Sequence, residues 1–141
     1  MEKVEWNTIV YAIFNEQEED LKDGKYNYRQ YMRIIDKLEE VQNSQNAKIL
    51  GDNNVYTQFY SDFKSDSQKI KNGFMDMLSN LILIDRIIVL SNINDLASFE
   101  LTHLIKYCYK NNLELIFPYD AICNVAYPDY FNLFIDEMEV E

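Results

Sequence analysis

A chain of 141 residues with 48% hydrophobic composition can build one domain with its own core and is too apolar for intrinsic disorder. Its 24 Asp and Glu outnumber 13 Lys and Arg, and the net charge of −11 excludes binding of nucleic acid through an overall basic surface. Three Gly and two Pro leave no glycine-rich phosphate loop, and two Cys with one His do not complete a four-ligand zinc site. No cofactor is therefore expected, and Cys108 and Cys123 are read as reduced core thiols.

No run of about 20 apolar residues is present, and Met1-Glu2-Lys3-Val4-Glu5 has no basic region leading into an apolar one. A soluble, cytoplasmic protein without a membrane partner is expected. Thr8 to Phe14 is short, β-branched and aromatic, which predicts a buried strand running into the acidic loop Asn15 to Asp23. Asn27 is a candidate N-cap, with Gln30 three residues on. Tyr31, Ile34, Ile35, Leu38 and Val41 then repeat at helical spacing, predicting a helix from Tyr28 to Gln45. Ala47 to Leu50 is a candidate second strand, followed by turn residues Gly51 to Asn54. The aromatic stretch Val55 to Phe63 shows no regular period, and 52–65 is left unplaced.

A second amphipathic helix is capped by Asp66 or Ser67 and carries Ile70, Phe74, Met77, Leu78 and Leu81 on one stripe. Gly73 inside it marks a close packing contact, since glycine in a helix costs about 1 kcal/mol against Ala. Asp85 to Leu90 is a near-continuous apolar run of the kind that fills a parallel strand covered on both faces. Ala97, Leu101, Leu104, Ile105 and Cys108 form a third helical stripe ending near Asn111-Asn112. Leu113 to Phe117 is a further strand, stopped by Pro118. Alternating strands and helices predict a single α/β domain of Rossmann-like or flavodoxin-like type, three layers deep, with a mainly parallel sheet of four to five strands. Residues 119–141 form an acidic, aromatic tail that packs on the domain or on a neighbouring subunit.

In such sheets ligands bind beyond the carboxyl ends of the strands, where the strand order switches. That directs attention to the loops after Phe14, Leu90 and Phe117, with Asn15 and Asn92 in the first two. The block from Asp76 through Asp85-Arg86-Ile87-Ile88-Val89-Leu90 and Ser98 to Phe117 resembles the nucleoside 2-deoxyribosyltransferase-like superfamily. Ile9-Val10-Tyr11-Ala12 is similar to that superfamily's first strand. On this resemblance Tyr11, Asp76, Asp85 and Ser98 fall on family positions, and Tyr107-Cys108 falls on the small-residue end of the helix pattern. The catalytic Glu position falls on Leu104, which cannot act on an anomeric carbon. A one-residue slip places His103 there, and Glu100 is on the same helix's first turns. The resemblance also implies an oligomer in which a neighbour's tail helps to close the site.

From the residues themselves, Ser98 is a helix cap or a phosphate contact, and Tyr11 either packs or brings its hydroxyl to a pocket. Asp85 is placed at the start of its strand beside Arg86, as an ion pair, an anchor or a ligand group. Asp76 is placed on a solvated helix face. Arg29 and Arg33, at i and i+4, either grip a phosphate or pair with nearby acids. Three functions follow. The leading one is binding and sequestration of a nucleotide or nucleotide-derived signalling metabolite by a homo-oligomer, as a phage-type anti-defence protein would do it. The second is N-glycosidic hydrolysis or deoxyribosyl transfer on a nucleotide, using Glu100 or His103. The third is protein inhibition by DNA mimicry, because residues 111–141 hold seven acids and no Lys or Arg.

Overall fold

The computed structural model describes residues 5–14, 26–63, 72–125, 128, 129, 131 and 132. In chain order it contains β1 (Trp6–Phe14), α1 (Tyr26–Gln42), a 3-10 turn (Ala47–Leu50), β2 (Asn54–Phe63), α2 (Asn72–Leu78) and β3 (Arg86–Leu90). A second 3-10 turn (Ile93–Asp95), α3 (Ser98–Asn111), β4 (Glu114–Phe117) and the short β5 (Ile122–Cys123) follow. The strands make one sheet in the order β2-β1-β3-β4-β5. Pairings among the first four are parallel, and β5 runs antiparallel to β4. This is a Rossmann-like α/β arrangement with one antiparallel edge.

The central strands lack polar alternation because both of their faces are covered. Val10, Ala12, Phe14, Ile88 and Leu90 pack with Ile34, Leu38 and Val41 of α1. Ile9, Tyr11, Ile13, Ile87 and Val89 pack on the other face with Phe74 and Met77 of α2 and Leu101, Leu104 and Ile105 of α3. Cys108 and Cys123 are buried and form no disulfide. Burial pushes the Cys108 thiol up to about 12. Phe131 of the tail is buried against the α3 face and stacks on Phe117 at 6.4 Å. Asn124 bonds the backbone of Leu113 and Leu115 with its side chain, covering peptide groups that β4 would otherwise leave open.

Several expectations need correction. Ala47 to Leu50 is a 3-10 turn, not a strand, and the second strand is the stretch without a visible period, Asn54–Phe63. Asn27 lies inside the first turn of α1, and the helix ends at Gln42. Tyr31 is exposed and meets Phe59 edge-on at 5.1 Å, while Gln30 takes the buried position on the line of Ile34 and Leu38. Asp66, Ser67 and Ile70 lie outside the described residues, as do Tyr127, Tyr130 and Phe134 of the tail.

Gly73 is a close contact, as the sequence predicts. A Cβ there would stand 2.3 Å from the Ser61 carbonyl oxygen of β2. Gly73→Ala should therefore destabilise the protein by about 2 kcal/mol, overpacking outweighing the usual gain from alanine in a helix. Urea denaturation checks this, and a stabilised variant would refute the contact.

Candidate functional site

The strand order changes direction between β1 and β3. The chain leaves β1 toward β2 through α1 on one face, and leaves β3 toward β4 through α3 on the other. The crevice rule therefore selects the carboxyl ends of β1 and β3. On the α3 side Tyr11 is fully buried, and its hydroxyl donates to Asp62 Oδ2 at 2.6 Å. Asp62 also accepts the N–H groups of Gly73 at 2.8 Å and Phe74 at 2.8 Å, joining the end of β2 to the start of α2. Burial first, then the charge and hydrogen bond of Asp62 and the charge of Glu100, raise the Tyr11 hydroxyl well above its ordinary value, so it stays protonated.

Glu100 sits in the first turn of α3 with 1% exposure. Its Oε1 accepts the N–H of Ala97 at 2.9 Å, an acidic group placed where the helix N-terminus favours negative charge. Ser98 and Phe99 begin the same helix and are exposed, Phe99 by 57%. In the loop after β3, Ser91 is buried and Asn92 is exposed. The Asn92 N–H donates to Asp95 and the Ile93 N–H donates to Asp120 Oδ2 at 2.9 Å, which ties the loops after β3 and β4 together. Tyr11, Asp62, Glu100, Ser98 and Asn92 are thus gathered at the carboxyl edge.

Other expected site residues are not brought there. Asp85 and Arg86 stand at the opposite, amino-terminal edge, because they open β3. Asp85 Oδ2 accepts the Asn7 N–H at 2.9 Å, and the Asp85 carbonyl accepts the Glu114 N–H at 3.0 Å. The ion-pair partner of Arg86 is Glu114, at 3.0 Å, and not Asp85. His103 is exposed on α3, whereas Leu104 is fully buried in the core. Asp76 is exposed on α2, as expected. Asn15 lies outside the described residues. Arg29 lies on α1 one turn before Arg33, and its side chain is likewise outside the description. Arg33 places its guanidinium 4.9 Å from the centre of the Phe14 ring at the end of β1.

Asp62 is the site residue that the sequence reading missed. The signal lay in an acid at the end of the aromatic stretch, eleven residues upstream of Gly73, but it needed a strand assignment for 54–63 to be legible. Among the described residues no three His, Cys, Asp or Glu side chains cluster to hold a metal ion. No helix of the described residues is long and apolar enough to cross a membrane. No protein-family model matches the chain, and no curated protein is significantly similar to it.

Proposed function

We infer that the protein binds a nucleotide or nucleotide-derived metabolite at the carboxyl edge of its sheet. The observation that carries this reading is the convergence of Tyr11, Asp62 and Glu100 beside the β1/β3 switch, with Ser98, Phe99 and Asn92 exposed at the rim. An exposed aromatic ring offers a stacking face to a base, and the N–H groups at the start of α3 offer donors to an anion. The similarity of residues 76–117 to the nucleoside 2-deoxyribosyltransferase-like superfamily supports the same ligand class. Sequestration, as by a cytoplasmic phage protein countering nucleotide-signalled immunity, fits a site in which the Tyr11 hydroxyl and the Asp62 carboxylate are bonded to each other and to the start of α2. Assembly into a homo-oligomer, with a neighbour covering Phe99, belongs to this reading.

A second reading, cleavage of an N-glycosidic bond, is favoured by one observation. Leu104 is sealed in the core, but Glu100 one turn earlier places a buried carboxylate on the Tyr11 side of the sheet. Mass spectrometry of small molecules released on denaturing the purified protein separates the two. An intact nucleotide is expected from sequestration, and a free base or sugar phosphate from cleavage. Turnover of deoxynucleoside monophosphates that falls by about 100-fold or more in Glu100→Gln would establish the second reading. His103→Ala should change neither binding nor turnover. A protein that releases nothing and binds no nucleotide would sink both readings.

DNA mimicry is less well supported. Of the seven acids in residues 111–141, Glu114 is engaged by Arg86 and Asp120 by the Ile93 N–H, so neither is spent on a partner-facing surface.

A further inference from the structure

We propose that the protein holds a second small-molecule site, an apolar cavity beside α3 that takes a neutral aromatic molecule of benzene to indole size. The cavity, of about 180 Å³, lies between the second half of α3, the start of β4 and the tail. Ile105, Leu115 and Phe131 are buried and form its walls, while Tyr109, Pro128 and Asn132 are exposed and stand at its mouth. Protein interiors pack with few voids larger than one water, so a space of this size against three buried side chains is large for a packing defect and fits a ligand pocket. It is separate from the nucleotide site at the carboxyl edge. A helix rises about 1.5 Å per residue, so Tyr109 lies about 16 Å along α3 from Ser98, and Leu115 follows directly on Glu114, which opens β4 at the amino-terminal edge.

The lining sets the ligand class. Asn124 also faces the cavity, but its Oδ1 accepts the Leu115 N–H at 3.0 Å and its Nδ2 donates to the Leu113 carbonyl at 2.8 Å, so both polar atoms are committed to β4. Water inside would find few partners, and cavities walled by Leu, Ile and Phe stay dry and take up apolar molecules: one of about 150 Å³ binds benzene. A space of about 180 Å³ extends this to a molecule of one or two rings. Phe131 is held by stacking on Phe117 at 6.4 Å and offers an aromatic guest an offset or edge contact. Among the described residues no charged side chain lines the cavity, so a phosphate or carboxylate would lose its hydration there without gaining a counter-ion. Tyr109 and Asn132 at the mouth suit one neutral polar substituent, such as a ring N–H.

Calorimetry of the full chain with indole, indole-3-acetate and deoxyadenosine monophosphate tests this, with Ile105→Trp and Asn132→Trp as variants. Indole is expected to bind the wild type at one site with a Kd of about 0.1 mM, and indole-3-acetate at least about tenfold more weakly. Ile105→Trp fills the cavity from its wall, and Asn132→Trp covers its mouth from an exposed position. Each should weaken indole by about tenfold or more while leaving any binding of the monophosphate unchanged. An unchanged or raised melting temperature shows that Ile105→Trp folds, and where it does not, Asn132→Trp decides. No binding of indole, or equal binding by the wild type and the folded variants, would overturn the site. Indole-3-acetate binding as tightly as indole would overturn the restriction to neutral molecules. Loss of monophosphate binding in the same folded variants would show one shared site in place of two and overturn the proposal.

Discussion

Arg86→Ala is expected to lower the free energy of unfolding by about 3–4 kcal/mol, toward the low end for breaking a buried ion pair. The guanidinium is 5% exposed and its partner Glu114 is 16% exposed. Its Nε and Nη2 both donate to Glu114 Oε2, its Nη1 donates to Asn54 Oδ1 at 2.7 Å, and its face lies 4.4 Å from the centre of the Trp6 ring. One side chain thus joins β3 to β4 and reaches across to β1 and β2 at the amino-terminal edge. Truncation leaves the Glu114 charge in a half-dry site with no compensating cation. Replacing both partners with apolar residues, Arg86→Met with Glu114→Leu, should recover much of the loss, because the cost comes from the unpaired charge. Chemical denaturation of the three proteins measures this. A loss below about 1 kcal/mol for Arg86→Ala would show that the pair behaves like an exposed one.

Asp62→Ala should cost about 3 kcal/mol, because it strips the acceptor from three donors at once. The Tyr11 hydroxyl, with no exposure at all, and the N–H groups of Gly73 and Phe74 all depend on this carboxylate. Asp62→Asn keeps one acceptor oxygen and should cost about half as much, while Tyr11→Phe removes a single bond and should cost about 1 kcal/mol. The double variant Asp62→Ala with Tyr11→Phe should fall short of the sum of its parts, since the two groups share one bond. Strict additivity would show that Asp62 and Tyr11 are not coupled. Under the proposed function the same changes should weaken nucleotide binding even where the protein remains folded.

The elements that were legible in the sequence share a physical property: one dominant period or none. β1 and β3 are uninterrupted apolar runs because α1 covers one face and α2 and α3 the other. The stripe of α3 is legible because Leu101, Leu104, Ile105 and Cys108 face one sheet over the whole helix, which ends at Asn112 in the left-handed conformation. β2 was illegible because its period is broken. The register between β1 and β2 slips after Thr8, so that Thr57 is an extra residue in the ladder. Tyr56 therefore shares the α1 face with Phe59 and Phe63, positions of opposite parity. Two interleaved alternations read as none.

Composition and pattern by themselves determined that this chain makes an α/β domain and that its sheet is mostly parallel, features that follow from local period and from element order; Tyr11 and Glu100 were singled out through the resemblance to a family. Only the tertiary structure decided what joins them. An uninterrupted alternation would place Asp62 with Tyr56 on the α1 face, and the slip at Thr57 turns it instead toward Tyr11 and the start of α2. Likewise Asp85 and Arg86 resemble ligand groups until the strand direction puts them at the amino-terminal edge, where they hold the sheet together.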